Sequence, residues 1–111
     1  MNDEIKKLLD DVLLCINKIE RFIGDERLLE TYKGNDMLKS SVERNLEIIG
    51  EAINNVLKIN AEIQITNARK FVNVRNKLIH GYDEVDDVTI WAIIINHLPL
   101  LKTEVQKLLE D

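Results

Sequence analysis

Residues 37–59 read MLKSSVERNLEIIGEAINNVLKI. Within them Val42, Leu46, Ile49, Ile53 and Val56 recur at steps of three and four. On a 3.6-residue period that spacing gathers them on one side of a helix, and it does not fit the strict alternation of a strand. Ala52 widens the apolar band enough to face two neighbours. The stretch therefore predicts a central helix, from about Met37 to Ile59, in an all-α domain.

The same period continues on both sides. A first helix is predicted from about Asp3 to Phe22, with Ile5, Leu8, Leu9, Val12, Leu13, Ile16 and Ile19 inward. Gly24 ends it. Asp25 is placed to cap a short second helix over Glu26 to Tyr32. Gly34, Asn35 and Asp36 break the chain before the central helix, and Asn60 stops it. A fourth helix is predicted from about Gln64 to Ile79, with Ala68, Phe71, Val74 and Leu78 inward and Gly81 as its terminator. A loop follows, bearing Tyr82, Asp83 and Glu84. Asp86 or Asp87 then caps the last helix and complements its dipole. Val88, Trp91, Ile94, Ile95, Leu98, Leu101, Val105 and Leu108 carry that stripe onward, and Pro99 should kink it. Short connections favour an up-and-down bundle of four to five helices. Ile48 and Ile93 lie off the main stripes and suggest a second buried face, of the kind a homodimer covers.

Composition limits the function. The chain has 111 residues, 45% of them hydrophobic, which suits a single domain over residues 1–111. Four glycines and one proline leave little punctuation for a many-stranded fold. The longest apolar run, Ile90 to Ile95, is far short of the roughly 20 residues of a membrane span. No basic, apolar leader opens the sequence, so a cytoplasmic protein with no membrane partner is expected. The lone Cys15 sits in the first stripe and reads as a core residue. Arg44 and Glu47 are one helical turn apart and can pair at the surface. Net charge is −5, which argues against a protein that coats nucleic acid. Yet Thr66 to His80 contains Arg69, Lys70, Arg75 and Lys77 and no acid. Such a patch can hold one or a few phosphates, although a solvated helix face is the plainer reading.

Several chemistries lack their residues. There is no Gly-rich phosphate loop, no His-Glu-x-x-His and no Cys-x-x-Cys. The two histidines, His80 and His97, are 17 positions apart, and no metal site from one chain is expected. His97 reads as structural, near the kink, and Trp91 as core.

What remains is Arg75-Asn76-Lys77-Leu78-Ile79-His80-Gly81-Tyr82. Arg75 and His80 are about 140° apart on an ideal helix, so they share a site only if the helix ends near His80. Gly81 provides for that ending. The set suits RNA cleavage without a metal or other cofactor. An imidazole can take a proton from the ribose 2′-hydroxyl or give one to the leaving 5′-oxygen. A guanidinium can hold two phosphate oxygens in the transition state. Asn76 and Lys77 add donors beside them. One such His per chain is awkward for paired acid and base roles; two chains supply two. Taken alone, an Arg and a His five apart are common by chance, and read as a surface charge and a helix-end imidazole.

The neighbouring blocks decide the matter. Ser41-Val42-Glu43-Arg44-Asn45-Leu46-Glu47-Ile48-Ile49-Gly50-Glu51-Ala52 resembles the third-helix signature of the HepT-like toxins of the HEPN superfamily. Val74 through Tyr82 resembles that family's motif of Arg, four residues, His, one residue and Tyr. Val85-Asp86, Trp91 and Leu98-Pro99-Leu100-Leu101-Lys102 resemble its closing helix. The resemblance implies a homodimeric, metal-independent endoribonuclease with Arg75 and His80 catalytic and Asn76 in support. It implies an MNT-type nucleotidyltransferase antitoxin that adds AMP to Tyr82, placing bulk and negative charge beside Arg75 and His80. The RNA cut, mRNA or tRNA, is not identified by the sequence. A non-catalytic regulatory partner of a nucleotidyltransferase is the competing expectation.

Overall fold

The computed structural model describes residues 1–81 and 85–110. Among them are six helices and no strand: α1 (Asp3–Ile23), α2 (Leu29–Lys33), α3 (Asp36–Ile59), α4 (Ala68–His80), α5 (Asp87–Asn96) and α6 (Leu98–Glu110). The helical reading of the sequence holds throughout. The count exceeds four to five because the last predicted helix is two.

α3 is the centre. It packs along α1 on one side and α4 on the other, the two most extensive contacts in the molecule. Val42, Leu46, Ile49, Ile53 and Val56 are all buried, as are Ile5, Leu9, Val12, Ile16 and Ile19 of α1. Each such side chain stabilises the fold by roughly 1.5–3 kcal/mol on transfer from water. Cys15 is buried in the same seam, and burial raises its thiol pKa. α6 covers α1 with Leu98, Leu101 and Val105. Phe71, Val72 and Val74 bring α4 into the core.

α2 begins at Leu29 rather than Glu26, and Asp25 does not cap it. Its cap position is Leu28, which makes no side-chain cap bond. Packing fixes this turn instead. Tyr32 is 1% exposed, α2 rests on α3 and α5, and the Tyr32 and Trp91 rings lie 5.5 Å apart. Burial is the main reason the Tyr32 phenol is held well above its usual range. Trp91 is partly buried against the core, as its place on the stripe implies.

α4 begins at Ala68, four residues later than expected. Asn67 adopts the left-handed conformation (φ 61°, ψ 27°), which ends any helix running from Gln64. The turn before it is tied to α6. The Glu104 carboxylate accepts from the Thr66 N–H at 2.9 Å and from its hydroxyl at 2.8 Å. Ile65 is buried beneath.

The kink expected at Pro99 is a full break. α5 and α6 meet at 43°, with His97 between them. Proline lacks the N–H that would continue the α5 ladder, but is tolerated in the first turn of a new helix, where Pro99 falls. No single helix among the described residues is long and apolar enough to cross a membrane. Ile93 is 3% exposed within the chain's own core, and Ile48 packs partly against it. Ile93 therefore does not offer the second face suggested for it, while Ile48 stays partly exposed.

Candidate functional site

The site is built at the C-terminal end of α4. Gly81 terminates the helix in the left-handed conformation (φ 64°), and its N–H donates to the Lys77 carbonyl at 3.1 Å. His80 is therefore the last helical residue, exposed at the helix end. The sequence condition for His80 is met.

Arg75 is fixed by α3. A Cβ at Gly50 would lie 2.3 Å from the Arg75 Cβ and 2.6 Å from the Phe71 carbonyl oxygen. Only glycine allows the two helices to approach this closely. The Arg75 stem is thus pressed against α3, and its Nε is buried with no hydrogen-bond partner. Nη1 donates to the Asn76 Oδ1 at 3.0 Å. Arg75 and Asn76 are brought together, with guanidinium donors still to be matched by an acceptor. On an ideal helix His80 lies about 140° round the axis and about 7.5 Å further along it. Lys77 is exposed between them. Tyr82 lies outside the described residues.

Two cavities of about 420 Å³ flank Lys77. One is lined by Lys39, Glu43, Lys77, Leu78, Gly81, Val85, Asp86 and Asp87. Lys39 and Asp87 pair across it at 3.1 Å, joining α3 to α5. Burial, with Asp87 and Glu47 nearby, pushes the Glu43 carboxyl up, although Lys39 opposes this. Asp86 caps α5, accepting from the Thr89 N–H at 2.7 Å, and that bond holds its carboxyl low. The other cavity lies between α4 and α5 and includes Lys70, Asn73, Thr89 and His97. His97 is structural in part, since its ring meets Asn67 and Lys70. Arg44 and Glu47 pair at 3.4 Å on the surface, as their spacing suggests. Among the described residues no three of His, Cys, Asp or Glu are grouped so that they could hold a metal ion.

Sequence reasoning gave no role to Gly50 or Glu43, and took Lys70 only as one cation of the basic patch. A signal existed for Gly50: glycine inside a helix costs about 1 kcal/mol against alanine, so it calls for a packing reason. Glu43 gave none, because Asp87, which faces it across the cavity, comes from α5.

The arrangement is that of an all-helical domain carrying Arg-x4-His at the end of an inner helix. The "Ribonuclease HepT-like" family model matches residues 12–108. The chain belongs to the HepT-like ribonuclease family. Over 109 residues it is 33% identical to "Putative RNase MJ0125" of Methanocaldococcus jannaschii, covering 97% of this chain and 93% of that one. Over 107 residues it is 34% identical to "Probable ribonuclease HepT" of Thermococcus cleftensis, covering 93% and 94%. No solved structure matches the chain with significance.

Proposed function

We propose that this protein is the toxin of a HepT/MNT-type toxin–antitoxin pair, an endoribonuclease that acts as a homodimer without a metal. The observation that carries this reading is the end of α4. Arg75 is clamped against Gly50 and oriented by Asn76, and the helix stops on Gly81 directly after His80. Membership of the HepT-like family supports it.

In the reaction, one His80 imidazole takes the proton of a ribose 2′-hydroxyl. The 2′-oxygen attacks the adjacent phosphorus, the bond from phosphorus to the 5′-oxygen breaks, and the leaving oxygen takes a proton from a second imidazole. The products are a 2′,3′-cyclic phosphate and a 5′-hydroxyl. Arg75 donates to the non-bridging oxygens as charge builds there, and Lys77 holds a neighbouring phosphate. The angular separation of Arg75 and His80 within one chain favours a site completed by the partner chain. Asn76 supports by holding the guanidinium. AMP added to Tyr82 by an MNT-type antitoxin would occupy this cluster and block RNA.

The test is cleavage of single-stranded RNA by the purified protein, with end-group analysis. Wild type should leave 5′-hydroxyl ends and spare DNA of the same sequence. His80→Ala should lose roughly 10²–10⁴-fold while folding normally. A folded His80→Ala variant that cuts equally well would refute the assignment. Tyr82→Phe should remove the mass increment gained with ATP and the nucleotidyltransferase.

A further inference from the structure

The cavity between α4 and α5 shares only Lys77 with the chemistry above. Its lining is Lys70, Asn73, Val74 and Lys77 from α4, Thr89, Ala92 and Ile93 from α5, and His97 at the bend. No carboxylate is among them. Its floor is apolar, since Val74 and Ile93 are buried. Its rim carries two ammonium groups, an amide, a hydroxyl and an imidazole. At about 420 Å³ it falls within the range of small-ligand sites.

The rim has more donors than acceptors. The Lys70 Nζ lies 3.4 Å from the His97 Nε2, and the Asn67 Nδ2 lies 3.3 Å from its Nδ1. A neutral imidazole has only one acceptor nitrogen, and a protonated one has none. The ring therefore cannot accept from both. An anion that accepts a hydrogen bond from the Lys70 ammonium leaves the ring with the Asn67 amide alone. The three ion pairs of the described residues, Lys39–Asp87, Arg44–Glu47 and Lys102–Glu20, involve neither Lys70 nor Lys77.

Position gives the ligand. Lys70, Asn73, Lys77 and His80 fall on one side of α4, within about 80° on an ideal helix and over about 15 Å of its length. The cavity thus opens onto the same stripe that ends at His80. We infer that Lys70, Asn73, Thr89 and His97 form a subsite for a nucleotide of the RNA strand beside the scissile phosphate. The cations hold its phosphate and the apolar floor receives its ribose or base. The inference rests on the ribonuclease reading and extends it to the flanking strand.

The test is binding of a short 2′-O-methyl oligoribonucleotide, which lacks the attacking hydroxyl, to the full chain, followed by fluorescence anisotropy across a salt series. Inorganic phosphate and AMP serve as separate probes. Lys70→Ala should weaken oligonucleotide binding about tenfold, the scale of one lost charge-assisted bond. It should also reduce the slope of log affinity against log salt by about 0.7, the value for one cation on a single strand. His97→Gln should weaken oligonucleotide binding in the same direction as Lys70→Ala. Lys70 is exposed, so its substitution leaves the fold intact, which circular dichroism checks. Unchanged affinity and slope in Lys70→Ala would overturn the subsite, even if wild type cleaves RNA. Lys70-dependent binding by a wild type that cleaves no RNA would keep the subsite and overturn the catalytic reading. Binding of AMP or phosphate that depends on Lys70, without oligonucleotide binding, would also overturn it, since the cavity would then serve a free nucleotide or anion.

Discussion

Replacing Gly50 by alanine tests how Arg75 is held. The new Cβ would start 2.3 Å from the Arg75 Cβ and 2.6 Å from a backbone oxygen that cannot rotate away. Ordinary carbon contacts lie near 3.5 Å, so α3 and α4 must part by about 1 Å. Forcing atoms into a packed seam costs about 1–3 kcal/mol. Alanine returns up to about 1 kcal/mol through its better helix propensity. The net loss is therefore expected at about 0–2 kcal/mol, a fall in the urea midpoint of up to about 2 M at slopes of about 1–3 kcal/mol/M. Activity should fall further than stability does. A displacement near 1 Å of a group that must meet a transition state can cost about 10²-fold. The assay pairs urea unfolding with RNA cleavage measured far below the midpoint. Gly34→Ala is the control, because its Cβ would meet only the Glu30 carbonyl at an ordinary 3.4 Å. A Gly50→Ala protein that is as stable and as active as wild type would refute the close contact. One that is less stable yet fully active would refute the link to Arg75.

Further predictions concern the fold and its pH dependence. Ile49→Ala removes a fully buried side chain from the seam around α3 and should cost about 2–5 kcal/mol in urea unfolding. Glu43 and Asp86 should act in opposite directions with pH. The Glu43 carboxyl is raised in the folded state, chiefly by burial, so the folded chain binds more protons there and stability falls as pH climbs through the carboxylate range. Glu43→Gln should remove that decline. The Asp86 carboxyl is lowered by its cap bond, so its contribution is present above its unfolded value of 3.8 and is lost as pH falls through the folded one. Unfolding midpoints of Glu43→Gln and Asp86→Asn across acidic to neutral pH check both signs.

The buried faces of α1 and α3 were legible because many residues repeat one period and all meet the same core. The end of α4 was legible because Gly81 can take a positive φ at little cost, and the chain needs one after His80. The start of α4 was not. Ile63 and Ile65 extend an apolar pattern, and nothing local reveals that Thr66 is captured by Glu104, 38 residues later. α2 moved for the same reason, because Tyr32 is placed by Trp91 and not by Asp25. Pro99 announced a disturbance, but its extent depended on where α5 and α6 could pack. At the site, Arg75 and His80 stood out as residue types, whereas the contact that fixes Arg75 lies on α3 and leaves only an unexplained glycine in the sequence.

The break at His97 has a consequence for how the chain tolerates change. A straight helix over residues 87–110 would be about 36 Å long, close to the 41 Å longest dimension of the molecule. By bending, the chain lets α5 reach α2 while α6 lies on α1. The two halves are nevertheless joined by a single residue, so their rotational settings are locked together. One residue inserted beside His97 would turn α6 by about 100° and carry Leu98, Leu101 and Val105 off α1. It would also pull Glu104 from Thr66, and with it the anchor at the start of α4. Length at this corner is therefore more tightly constrained than residue type, and the constraint reaches the helix that carries Arg75 and His80 without touching either.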